Sequence, residues 1–231
     1  MKIAIGLGKN ENVLKAVKKF PFEIKIAKSN KELIGYLKDP DIDGVIRGSL
    51  ESDVIGELRK DYPCLFRASL LEVNEHKFFL TPVGIDECDS LNDKKEIIRE
   101  CAKTLEKIDI KPRISILAGG RKQDIGRSQK IDNSIKESEE IYSTFKDEYD
   151  IKNDYILIEE AIKEKSNIII APDGITGNII FRSLVLVAKV KSYGAITLNQ
   201  PYTLIDTSRS QSVEGYVNAI KLMTKIIDGN K

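Results

Sequence analysis

The chain has 231 residues, 41% of them hydrophobic, enough for one large domain or two small lobes with their own cores. Its 37 Lys and Arg nearly balance 36 Asp and Glu, which argues against a general nucleic-acid or membrane-surface binder, since those carry a basic surplus. Cys64, Cys88 and Cys101 lie far apart with no C-x-x-C or Cys/His ligand spacing, so no metal site is expected and a reducing, cytoplasmic setting fits.

The start Lys2-Ile3-Ala4-Ile5 reads as a strand rather than a signal peptide, and no apolar run reaches the length of a bilayer span. Strand Lys2–Gly6 is followed by a helix over Asn10–Lys19, with Val13, Leu14 and Val17 on one face. Phe22–Ala27 is a second strand, and Asn30 is placed to cap a helix running to about Lys38. Asp43–Gly48 is strand-like and Glu51–Asp61 helical. Cys64–Val73 and His76–Leu80 read as a strand pair around Asn74-Glu75, and Asp93–Ile108 as an amphipathic helix.

A second unit follows. Arg113–Ala118 is a strand ending in Gly119-Gly120, Asp132–Lys146 is helical, and Tyr155–Lys165 includes another helix. Ile168-Ile169-Ile170-Ala171 is a continuous apolar run, the pattern of a strand buried on both faces. Thr176–Val190 reads as a helix, Gly194–Leu198 and Tyr202–Ile205 as strands, and Ser212–Ile227 as the last helix. Strand–helix alternation of this kind predicts an α/β protein with a mostly parallel sheet covered by helices.

In such sheets ligands sit at the C-terminal ends of strands, so the strand-to-helix turns are the places to search. The first is Ala171–Asn178, where Gly174 and Gly177 allow close backbone approach, Thr176 or Asn178 would cap the helix, and Asp173 would point toward a ligand. A tight capped turn explains the same residues equally well. The second is Asp206–Glu214. Arg209 offers a planar fork for phosphate or carboxylate, Ser208 and Ser212 offer hydroxyls, and Ser212 also suits a helix N-cap. The third is Gly119–Ser128, with Arg121, Lys122 and Arg127 among three glycines, an anion cradle or a solvated loop without the P-loop spacing. The fourth is Gly6-Leu7-Gly8, which lacks the third glycine of a dinucleotide fingerprint. Arg47 would reach the same space or stand exposed. His76 is the single histidine, so Ser-His-Asp chemistry is not expected.

These residues carry a resemblance. Pro172-Asp173 with Gly177-Asn178, then Gly194, Pro201, Asp206, Ser208-Arg209, Ser212-Val213 and Ala219-Ile220 run in the order seen in phosphate acetyl/butyryltransferases. Asp43–Gly48, Phe78–Thr81 and Ile114–Gly120 keep that order upstream. The short length, and Arg121-Lys122 with Arg127 in place of a Ser/Thr-Lys-Gly loop, resemble more narrowly the methanogen marker protein 4 (MtxX, methyltransferase-related) family.

The resemblance implies a three-layer α/β/α fold shared with isocitrate and isopropylmalate dehydrogenases, two lobes around a cleft, and a homodimer. The lobes would be residues 1–108 with a returning segment 200–231, and residues 109–199. It implies a small anionic ligand, CoA or another phosphate-bearing group, and a methanogenesis protein as partner. Ser208 would bond a thioester or leaving thiolate, Arg209 would hold phosphate or an oxyanion, and Asn178 and Gly177 would shape the phosphate site. Asp173, Arg121, Lys122, Arg127, Arg47, Asp206 and Ser212 complete the candidate set. One departure stands out: the acyltransferase pattern places an Asp, the base toward the CoA thiol, where this chain has Gly215. Three functions follow: an acyltransferase-like transferase, a methyltransferase or a subunit of one, and a binding protein that has lost the base.

Overall fold

The alternation Ile3-Ala4-Ile5 sends successive side chains to opposite faces of a strand, and both faces are covered. The computed structural model describes residues 1–63 and 65–229. In chain order the first elements are β1 (Ile3–Gly6), α1 (Asn12–Val17), β2 (Ile24–Ala27), α2 (Asn30–Leu37), β3 (Gly44–Ile46) and α3 (Asp53–Asp61). Next come β4 (Phe66–Val73), β5 (His76–Thr81), α4 (Leu91–Glu106), β6 (Arg113–Leu117), α5 (Gln129–Phe145), β7 (Asp150–Tyr155) and α6 (Ile158–Lys163). The chain closes with β8 (Ile168–Ile170), α7 (Gly174–Phe181), β9 (Lys191–Leu198), β10 (Leu204–Asp206) and α8 (Val213–Gly229).

These elements form two compact units, one from Met1–Arg67 with Lys191 onward, the other from Ala68–Val190. In the first, the strands lie in the order β2-β1-β3-β10-β9. All are parallel except β9, which runs antiparallel to β10. Ile3, Ile5, Ile46 and Ile205 meet Val13 and Ala16 of α1 and Tyr216, Ile220 and Met223 of α8 on one face. Ala4, Val45 and Leu204 meet Leu33 of α2 and Val54, Ile55 and Leu58 of α3 on the other. This unit is therefore three layers, helix on sheet on helix.

In the second unit the order is β4-β5-β8-β6-β7, with the β4–β5 hairpin antiparallel and β5, β8, β6 and β7 mutually parallel. Ile168, Ile169 and Ile170 are all buried, as a strand covered on both faces requires. Helix α4 packs on β8, α5 on β6 and β7, and α7 on β5.

Several boundaries differ from the sequence expectation. The compact units group β4 from Ala68, β5 and α4 with residues 109–190. Parallel pairing of Phe79–Thr81 with Ile168–Ile170 binds them there. Strand β9 falls with the first unit through its ladder to β10. Ser29, not Asn30, caps α2, its hydroxyl accepting from the Glu32 N–H at 3.2 Å. The strand expected from Cys64 begins at Phe66, and Cys64 lies outside the described residues. The helix expected over Thr176–Val190 begins at Gly174 and widens after Phe181 into a π-helical turn over Arg182–Val187.

Candidate functional site

In the first unit β1, β3 and β10 are parallel, so their C-terminal ends deliver three loops to one edge. The loops press backbone against backbone. A Cβ on Gly8 would stand 2.9 Å from the Ser49 carbonyl carbon, and Gly48, at φ +64°, faces the Gly6 carbonyl. The glycines of the Gly6-Leu7-Gly8 turn therefore serve this contact, consistent with the absence of a full dinucleotide fingerprint.

Beneath the loops lies a buried charge cluster. Arg47 donates through Nε to Asp206, through Nη1 to the Leu50 carbonyl at 2.9 Å, and through Nη2 to the Thr207 carbonyl. Arg67 donates to the other Asp206 oxygen. Arg47, Arg67 and Asp206 are 6%, 9% and 8% exposed. Burial alone would raise the Asp206 pKa, but the two guanidiniums outweigh it and hold the carboxyl below its ordinary range. Arg47 and Asp206, expected among the ligand-binding groups, are thus bonded to each other and to the loop backbone. Arg67 was not among the expected residues. Its signal was an arginine inside the apolar run Leu65-Phe66-Arg67-Ala68.

On this base sits the turn that leads into α8. Asn10 Nδ2 donates to the Arg209 carbonyl at 2.8 Å and the Gln211 carbonyl at 3.0 Å, and Asn12 Nδ2 to the latter at 3.3 Å. The Tyr216 hydroxyl donates to the carbonyls of Ser208 (3.1 Å) and Arg209 (3.3 Å). Burial pushes its pKa up to about 12, so it stays a neutral donor. Ser212 caps α8, its hydroxyl accepting from Gly215 N–H at 3.1 Å. Ser208 is half-buried, and its hydroxyl accepts from Ser210 N–H at 3.3 Å. The Arg209 guanidinium is exposed and paired with the equally exposed Glu51. At Gly215, a Cβ would stand 2.6 Å from Gln211 Oε1 and still closer to the rest of that side chain. Gln211 was not among the expected residues, because sequence alone does not show that its amide fills the space beside Gly215.

In the second unit the Ala171–Asn178 turn is taken up by architecture. Both Asp173 oxygens serve Thr176, accepting from its N–H at 2.7 Å and its hydroxyl at 3.0 Å. Asp173 is therefore the cap of α7, in place of Thr176 or Asn178. Asn178 Nδ2 donates to the Val83 carbonyl at 2.8 Å. A Cβ on Gly174 would stand 2.9 Å from the Gly84 carbonyl carbon, and one on Gly177 3.1 Å from that of Pro82. Lys94, 5% exposed and absent from the sequence reading, ties the turn down: its ammonium bonds Glu137 at 2.9 Å and the Pro172 carbonyl.

The basic loop after β6 carries its own counter-charges. Asp124 accepts from Arg121 N–H at 2.8 Å and pairs with Arg127 at 3.1 Å, and Gly126 N–H donates to Asp132 at 2.8 Å. Lys122 lines a groove of about 570 Å³ with Tyr142, Tyr155 and Lys152 along β7. His76 Nε2 donates to the Ser166 carbonyl at 2.8 Å and its ring stacks on Phe78, a structural setting. Among the described residues no helix is long and apolar enough to cross a membrane.

Residues 59–224 match the family model for phosphate acetyl/butaryl transferase. A Methanocaldococcus jannaschii protein described as an uncharacterized methyltransferase is 43% identical over 95% of this chain and 96% of its own length. A Methanosarcina barkeri protein provisionally named methyltransferase mtx subunit X is 35% identical over 95% of this chain and 83% of its own. Among solved structures, a branched-chain phosphotransacylase from Enterococcus faecalis superposes with TM-score 0.75 at 16% identity, covering 98% of this chain and 99% of that one. A beta-decarboxylating dehydrogenase from Thermococcus kodakarensis shares the fold at TM-score 0.59 and 9% identity, covering 99% and 83%. The fold is thus that of phosphotransacylases and isocitrate dehydrogenase-like enzymes, and the chain belongs to the phosphate acetyl/butyryl transferase family, grouping within it with the MtxX proteins of methanogens.

Proposed function

We propose that the protein is a transferase-type relative of the phosphotransacylases that takes a phosphate-bearing ligand, CoA or a similar anion, at the Ser208–Ser212 turn. One observation carries the reading. Arg209 presents its guanidinium at the surface, against Glu51, on a turn whose backbone is pinned from below by Asn10, Asn12 and Tyr216. An exposed ion pair of this kind is worth little, about 0–1 kcal/mol, so a phosphate can replace Glu51 with a bidentate contact. Ser208 supplies a hydroxyl next to it, and the N-terminal end of α8 favours negative charge there.

At position 215 this chain has no carboxylate, and the Gln211 amide fills the adjoining space. A thiol activated by a base at that position is therefore outside its chemistry. The reading favours binding and charge stabilisation by Ser208 and Arg209 over general-base catalysis. The names of the methanogen relatives support a second reading, methyl transfer or a subunit of a methyl-transferring assembly.

The deciding experiment is calorimetric titration of the purified protein with inorganic phosphate and with CoA, beside an assay of phosphate-dependent CoA release from acetyl-CoA. Saturable binding, weakened at least tenfold by Arg209→Ala with an unchanged melting temperature, is the expected result. Absence of binding in the wild type, or a variant that merely loses stability, overturns the reading. Label transfer from a methylated donor, with no response to phosphate or CoA, would favour the second.

A further inference from the structure

Gln211 is 4% exposed, and its amide nitrogen has no hydrogen-bond partner among the described residues. Its amide oxygen accepts from Ser212 N–H at 3.3 Å, so the group lies at the N-terminal end of α8. The backbone of Gln211 is held, through its carbonyl, by Asn10 and Asn12. The side chain is folded over Gly215 and lies where any larger residue would put its Cβ.

Two features do not fit a purely structural role. A buried donor left unpaired costs about 1–3 kcal/mol, which Met or Leu of similar size would avoid. Gly215 lies in the first turn of a helix of 17 residues, where Ala would be favoured by roughly 1 kcal/mol, yet Gly is what makes room for the amide. The two residues form a side chain and its notch.

We propose that Gln211 is the ligand-sensing residue of the α8 turn. With the site empty its amide is parked over Gly215. With a phosphate oxygen at Ser208 and Arg209, the side chain turns out and its Nε2–H donates to that oxygen. Turning out gives the donor a partner, and because a charged phosphate oxygen is a stronger acceptor than water, a bound anion tips the balance toward the turned-out state. The same donor sets the ligand class: it rewards an oxygen anion and gives nothing to a cation or an apolar group. This inference rests on the anion-binding reading above and deepens it.

The test uses the full chain, inorganic phosphate as the probe, calorimetry for affinity, and side-chain amide NMR for the Gln211 resonances. Gln211→Met keeps the length and removes the donor. It is expected to weaken phosphate binding about tenfold, equivalent to about 1.4 kcal/mol, without lowering the melting temperature. Gly215→Ala fills the notch and is expected to tighten binding, since the parked state is no longer available. In the wild type, saturating phosphate is expected to shift both Gln211 side-chain amide protons. This last readout stands even if a variant fails to fold. Unmoved amide resonances at saturation overturn the proposal. So does a Gln211→Met variant that binds like wild type while Arg209→Ala does not bind, an outcome that leaves the anion site standing. A wild type that binds no phosphate removes the anion site and the inference together.

Discussion

Two turns of this molecule look alike in sequence and differ in what their groups do. Ala171–Asn178 and Asp206–Ser212 each end a buried strand and begin a helix, and each carries short acids, hydroxyls and nearby glycines. In the first, Asp173 and Asn178 bond protein atoms, and Gly174 and Gly177 lie against the backbone of residues 82–87. In the second, Asp206 and Ser212 likewise bond protein atoms, but Ser208 is half-buried, Arg209 is exposed and the Gln211 amide nitrogen has no partner among the described residues. A turn can look like a ligand cradle and be wholly architecture. The groups that the fold itself does not need mark the better candidate.

Gly174→Ala breaks the comparison most sharply. Its Cβ would meet immovable backbone, so a loss on the order of 4 kcal/mol or more is expected in denaturant unfolding. At its nearest contacts Gly215→Ala meets the Gln211 side chain rather than backbone, and because that side chain can turn aside a loss of about 1 kcal/mol or less is expected. Equal losses at the two glycines would erase the distinction.

Asp206→Asn comes next, because it removes the buried carboxylate that Arg47 and Arg67 share, at a cost of about 3–5 kcal/mol. The pH dependence has a definite sign. The folded pKa of Asp206 is depressed, so its stabilisation is complete above the unfolded value near 4 and is lost as pH falls below it through the folded value. The acid limb of the stability–pH curve should flatten in Asp206→Asn. An unchanged limb would show that other carboxylates govern acid unfolding.

Asp173→Ala removes a cap, and a loss of about 1 kcal/mol with no change in phosphate affinity is expected. Arg209→Ala should be the mirror image, with stability within about 0.5 kcal/mol of wild type and phosphate affinity lost. If Asp173→Ala abolished binding instead, the roles of the two turns would have to be exchanged.

Much of the architecture was legible because burial imposes a pattern. The triple isoleucine of β8 and the strand at β1 read correctly, and Ser212 caps α8 as one of its two readings allowed. Strand β7 did not read as a strand: it is an edge strand in which Ile151 alone is buried, so Asp150, Lys152, Asn153 and Asp154 obscure the period. Of the proposed site, Arg209 and Ser208 were candidates by residue type, but the pairing of Arg47 and Arg67 with Asp206 joins residues far apart in sequence. The match between Gln211 and Gly215 depends on side-chain volume in three dimensions, which no spacing rule encodes.

The returning segment has a consequence for synthesis. Strand β10 lies between β3 and β9, so β3 has an open edge until more than half of the chain has followed it off the ribosome. The continuous segment Ala68–Val190 emerges while that apolar edge is still unpaired. Chains from which β10 has not yet emerged leave that edge open, and the segment from Lys191 supplies the strand that closes a unit begun by Met1–Arg67.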